Sequence, residues 1–79
     1  MTYALNLAAE IRAEMGRQRI SVAELSRLSG LHRSLLHRRL GAESPLDTDE
    51  LLAVAKALGL SVVELVARAQ AAAIASAAS

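Results

Sequence analysis

Apolar residues recur every three or four positions along most of the chain, the spacing of helices that bury one face. Leu7, Ile11 and Met15 fall four apart with Ala4 and Ala8 beside them, predicting a first helix from about Thr2 or Tyr3 to Gln18, with Gly16 as an earlier stop. Ser21 with Glu24 three residues on is the pair of a capping box that opens a second, short helix, with Leu25 and Leu28 facing inward. Gly30 allows the left-handed backbone of a tight helix-to-helix turn, and Leu31 follows as a core plug. Leu36 and Leu40 share one face of a third helix over residues 33–40. Residues 41–46, with the single proline Pro45, make a loop. Asp47 and Glu50 then cap a fourth helix whose apolar face is Leu51, Leu52, Ala55 and Leu58, closed by Gly59. Ser61 and Glu64 form a third capping box and open a fifth helix.

The fifth helix carries two apolar stripes. Val62, Leu65, Ala69 and Ala73 make one that packs on the domain, and Val63, Ala67 and Ile74 make a second. A helix with two such stripes touches two things, so the second is a candidate dimer or partner surface. The plainer alternative is an alanine-rich tail, or the stump of a longer chain. The domain division expected is 1–70 for the folded unit and 71–79 for an Ala-rich extension.

Composition narrows the chemistry. Phe, Trp and Cys are absent and Tyr3 is the sole aromatic, so the core is aliphatic and neither disulfides nor thiolate metal sites are available. His32 and His37 are too few for a metal centre without carboxylates. No catalytic constellation, phosphate loop or metal-ligand spacing is present, so neither an enzyme nor a cofactor is expected. Asp47, Asp49 and Glu50 are explained as charges at a helix N-terminus. No apolar run of about 18 residues and no signal-peptide pattern is seen, which points to a cytoplasmic protein, in a bacterium or a phage-infected host, with no membrane partner.

The formal net charge of +1 hides an asymmetry. Residues 12–39 carry seven arginines against two glutamates, whereas residues 40–79 carry one lysine and one arginine against five acids. A basic half suggests a face turned to a polyanion. Residues 20–41, ISVAELSRLSGLHRSLLHRRLG, read as helix, glycine turn and helix with arginines opposite buried leucines. That is the pattern of a helix-turn-helix, whose second helix lies in the DNA major groove. At about 100° per residue, Ser34 and Arg38 point away from the leucine face, His37 and Arg39 flank it, and Arg33 projects from the first turn. Leu35 lies toward the exposed side, against the second helix or a thymine methyl.

The ordered set of Ile11-Arg12, residues 21–25, Gly30-Leu31, Leu36 and Leu40 resembles the lambda repressor/Cro-like DNA-binding family. The segment SPLDTDELLAVAKALGLSVVEL is similar to that family's fourth helix and the start of its fifth. HRSLLHRRLG followed by SPLDTDEL is similar to a variant common in actinobacteria and their phages. The resemblance covers residues 5–68 and implies an all-α, five-helix lambda-repressor-like domain with the helix-turn-helix at helices two and three. Three positions depart from the pattern. Val22 stands where glutamine often helps bind DNA, Ser26 where alanine is usual, and Arg39 where many members have an aliphatic residue.

Arginine can bond guanine O6 and N7 together, so Arg33 and Arg38 are the base-reading candidates, joined by Ser34 and His37. The resemblance points to the same positions. Candidate phosphate contacts are Ser21 at a helix N-terminus, and Arg12, Arg27, His32 and Arg39 by location. Arg17 and Arg19 are expected to face solvent. The plainer reading of each arginine is a solvated surface charge. The leading function is a sequence-specific regulator of phage or prophage type, most simply a repressor, dimeric on double-stranded operator DNA and without a small-molecule effector. The competing function is an antitoxin-like interaction module that uses the fifth helix, with DNA binding secondary.

Overall fold

The computed structural model describes residues 6–41 and 43–78. Five helices follow one another, α1 (Leu7–Gln18), α2 (Val22–Ser29), α3 (Arg33–Leu40), α4 (Thr48–Ala57) and α5 (Val62–Ala78), with no strand among the described residues. The all-α, five-helix architecture is the one expected. α1 packs on α3 and α5, α2 packs on α3 and α4, and α4 packs on α5.

The helix starts follow the side-chain caps. Asn6 accepts the Ala9 N–H at 3.0 Å and opens α1. The expected earlier start at Thr2 or Tyr3, and Ala4, lie outside the described residues. Gly16 does not stop α1, because one helical glycine costs only about 1 kcal/mol relative to alanine. The helix runs to Gln18 and ends on Arg19 in the left-handed conformation, φ 57°. Of the three expected capping boxes, α4 alone has both halves: Asp47 accepts the Glu50 N–H at 2.7 Å and Glu50 accepts the Asp47 N–H at 3.0 Å. At α2 and α5 the serine half is present, with Ser21 accepting from Glu24 and Ser61 from Glu64. The glutamates there turn to arginines instead, Glu24 to Arg27 and Glu64 to Arg68.

Each helix sends one fully buried aliphatic side chain to the centre: Ile11, Leu25, Leu36, Val54 and Leu65. Met15, Leu40, Leu51, Ala55 and Leu58 complete the core, and Leu31 is half-buried against it. Two expected core leucines lie outside. Leu52 is 53% exposed because the buried face of α4 runs through Leu51, Val54, Ala55 and Leu58, about 100° away from Leu52. Leu28 is 44% exposed, because α2 turns Leu25 inward and Leu28 lies about 60° round the helix from it.

A polar network that the apolar pattern does not reveal closes the junction of α1 with α5 and the α4–α5 turn. Buried Glu14 accepts from Arg17 Nε at 2.9 Å, Gln18 Nε2 at 2.7 Å and Arg68 Nη1 at 2.8 Å. Gln18 Nε2 also donates to the Leu58 carbonyl at 2.7 Å, and Arg68 Nη2 pairs with Glu64 at 2.7 Å. These bonds join the end of α1 to the α4–α5 turn and to α5. Donation from Gln18, then Arg17 and Arg68, holds the Glu14 carboxyl at about 2, against an ordinary 4.5.

Replacing Leu36 by alanine is expected to cost about 2–5 kcal/mol, while Leu52→Ala stays within about 0.5 kcal/mol, both read from urea denaturation. Because its folded pKa is depressed, Glu14 contributes stability that is full above 4.5 and is lost as pH falls toward about 2. Thermal unfolding between pH 7 and 2 should therefore show a shallower acid decline for Glu14→Gln than for the unaltered chain. Parallel declines would remove Glu14 as a source of acid sensitivity.

Candidate nucleic-acid interface

α2 and α3 are joined by residues 30–32, and local hydrogen bonds define this turn. Gly30 adopts φ 77° and its N–H bonds the Ser26 carbonyl at 2.9 Å, closing α2. The Ser26 hydroxyl donates to the Leu31 carbonyl at 2.6 Å, and the Leu31 N–H donates to Ser29 Oγ at 3.2 Å. Serine at position 26 thus ties the helix to the turn that follows it, a role an alanine could not fill. His32 is the N-cap of α3: its Nδ1 accepts the Ser34 N–H at 3.3 Å and lies 2.8 Å from the Ser34 hydroxyl.

With Leu36 and Leu40 buried, α3 turns Arg33, Ser34, His37 and Arg38 to the outside, and Leu35 is half-buried. Among the described residues, Arg33, His37 and Arg38 make no side-chain hydrogen bond or ion pair with the rest of the chain. The first turn of α3 holds no acidic residue. The four residues proposed from sequence to read bases therefore share one exposed face of one helix. Two of them are arginines with no hydrogen-bond or ion-pair partner among the described residues, and Arg38 is close enough to Glu50 to help lower its pKa.

The residues proposed as phosphate contacts are placed in different ways. Ser21 is exposed at the N-terminus of α2. Arg27 is exposed but paired to Glu24 at 2.5 Å, and this bond raises its pKa. His32 stands at the turn as described. Arg12 Nη1 donates to the Leu40 carbonyl, which ties α1 to the last residue of α3. Arg39 turns inward: Nε and Nη2 meet the two Glu50 carboxylate oxygens at 2.8 and 3.3 Å, and Nη1 donates to the Ser44 hydroxyl. The Arg39 side chain is 20% exposed and that of Glu50 10%. The hydrogen bond from Arg39 is the main reason the Glu50 carboxyl lies below its usual range.

Sequence reading missed the Arg39–Glu50 pair. Spacing makes Glu50 a cap partner and a helix N-terminal charge, and makes Arg39 a flanking residue and candidate phosphate contact, whereas in the structure Arg39 is turned to Glu50. The replacement of an aliphatic residue by Arg39 was the one sign that this side of α3 meets something charged. Val63, Ala67 and Ile74 are exposed on α5, which touches neither α2 nor α3.

The family model of the Cro/C1-type HTH DNA-binding domain matches residues 10–70. Curated proteins give no match. Among solved structures, Streptomyces albus HEPD with substrate 2-hydroxyethylphosphonate and Fe(II) bound is similar, with a TM-score of 0.70 and 30% identity over 82% of this chain. The chain spans 15% of that protein's length.

Gly30 sits at positive φ with nothing within 4 Å of an added Cβ, so only backbone strain opposes a side chain there. Gly30→Ala is expected to destabilise by about 1 kcal/mol, and Gly30→Asn by less, as measured by thermal unfolding. Equal stability of the alanine variant would mean that the turn does not need the left-handed conformation.

Proposed function

The chain belongs to the Cro/C1-type helix-turn-helix DNA-binding family, and on that premise we propose that it is a sequence-specific regulator of transcription, a repressor of phage or prophage type. One observation carries the reading: Arg33 and Arg38 stand exposed on the outer face of α3 with no hydrogen-bond or ion-pair partner among the described residues, and Ser34 and His37 lie beside them. In the major groove a guanidinium meets guanine O6 and N7 with two parallel bonds, which distinguishes that base pair from the other three. Arg33 and Arg38 are assigned this role, with Ser34 and His37 meeting adjacent base edges. Ser21, Arg27, His32 and the remaining donors of Arg12 contact phosphates, which sets register without reading sequence.

The working form is a homodimer on a two-fold symmetric operator, with half-site centres about one helical turn apart. Repression follows from covering a promoter. The exposed apolar positions of α5 support self-association: Val63 is 78% exposed and Ile74 46%. The same surface supports a second reading, an antitoxin-like module that sequesters a partner protein.

No catalytic role is assigned. The similarity to an Fe(II) enzyme spans a small part of that enzyme, and among the described residues no three of His, Cys, Asp or Glu are grouped as metal ligands. No helix among the described residues is long and apolar enough to cross a membrane.

Arg38→Ala should weaken binding to the preferred duplex by about 1–3 kcal/mol and relax the base preference at one position, read by fluorescence anisotropy against a panel of single-base variants. Arg27→Ala should weaken all duplexes alike and make the slope of log affinity on log salt shallower by about 0.9. Uniform loss with Arg38→Ala would make that residue a phosphate contact instead.

A further inference from the structure

The last turn of α3 is closed by backbone and side-chain donors. Its carbonyls at His37, Arg38 and Arg39 are met by the backbone N–H groups of Gly41 and Glu43, and the Leu40 carbonyl by Arg12. A helix of eight residues that buries only two side chains has little hold of its own on the rest of the molecule. At this end Arg39 reaches across to the first turn of α4. It joins both oxygens of Glu50 and the hydroxyl of Ser44, and Glu50 simultaneously caps the Asp47 N–H.

We propose that Arg39 is a positioning residue for DNA reading: its two-point pairing with Glu50 fixes the rotation and tilt of α3 against α4, so that Arg33 and Arg38 are presented at a set angle. This rests on the reading of α3 as the DNA-facing helix. Three features separate it from a phosphate contact. The guanidinium engages three acceptors within the protein, its side chain is largely covered, and the partner carboxylate belongs to a different helix. A planar guanidinium matched to both oxygens of a carboxylate resists rotation in a way that a lysine ammonium, a point charge, does not.

The two roles give opposite expectations for Glu50→Gln. If Arg39 contacted phosphate, removing the acid would free a cation and delete a repelling charge, so binding would tighten. If Arg39 positions α3, binding weakens. Affinity for the preferred duplex and its salt dependence would be measured for Glu50→Gln, Arg39→Lys and the double variant. Backbone amide exchange at Gly41 and Glu43 would be followed by NMR in the free protein.

Positioning predicts that each single variant loses about five- to tenfold in affinity, that the double variant loses no more than the worse single one, and that the salt slope is unchanged. It also predicts faster exchange at both amides, whereas Arg38→Gln leaves exchange as it was. Tighter binding by Glu50→Gln, with Arg39→Lys near the unaltered affinity, would overturn the proposal. So would unchanged exchange in both variants. Should the unaltered chain bind no duplex, the DNA reading fails on its own, and the exchange rates still decide whether the pair holds α3.

Discussion

The structure depends on one meeting of five aliphatic side chains, one from each helix. Ile11, Leu25, Leu36, Val54 and Leu65 are the largest fully buried side chains, one on each helix. With no phenylalanine or tryptophan to fill space, helix placement has to be set by these small branched contacts. α3 is the element most exposed to that constraint. It is eight residues long, and Leu36 is its single fully buried side chain. Leu40 adds a second buried contact at its last residue, and polar groups supply further hold: Ser26 and His32 at its start, and Arg12 and Arg39 at its end.

That division explains how the basic half of the chain is organised. Its arginines are not equivalent. Arg17 is paired with Glu14, Arg27 with Glu24 and Arg39 with Glu50. Arg33 and Arg38 have no such partner among the described residues. A count of charge along the chain mixes these groups, whereas only unpaired cations on a common face can meet a duplex without first breaking a protein contact. Arg12 and Arg39 hold the end of α3, while Arg33 and Arg38 leave its outer face charged.

Much of the fold was legible in the sequence because helix periodicity and caps are local. The turn glycine at Gly30, the N-caps Ser21, Asp47 and Ser61, and the buried positions Ile11, Leu25, Leu36 and Leu65 all follow from spacing. The choice between Leu52 and Val54 did not, because both are apolar and the rotation of α4 is decided by what packs against it. Capping boxes were over-read at α2 and α5 for a related reason. A glutamate three residues past a serine can turn back to the backbone or forward to an arginine, and Arg27 and Arg68 stand within reach. The outer face of α3 was readable from its two leucines. The pairing of Arg39 with Glu50 was not, since it links residues 11 apart across a loop whose path no local rule gives.

We propose that α3 reads base sequence through its exposed arginines. The most direct measurement is selection of bound sites from a randomised duplex pool at near-physiological salt. Base reading by Arg33 and Arg38 in a dimer predicts enrichment of a two-fold symmetric motif with guanines at fixed positions in each half. Recovery of a pool with no preferred sequence would contradict it and would leave Arg33 and Arg38 as ordinary surface charge.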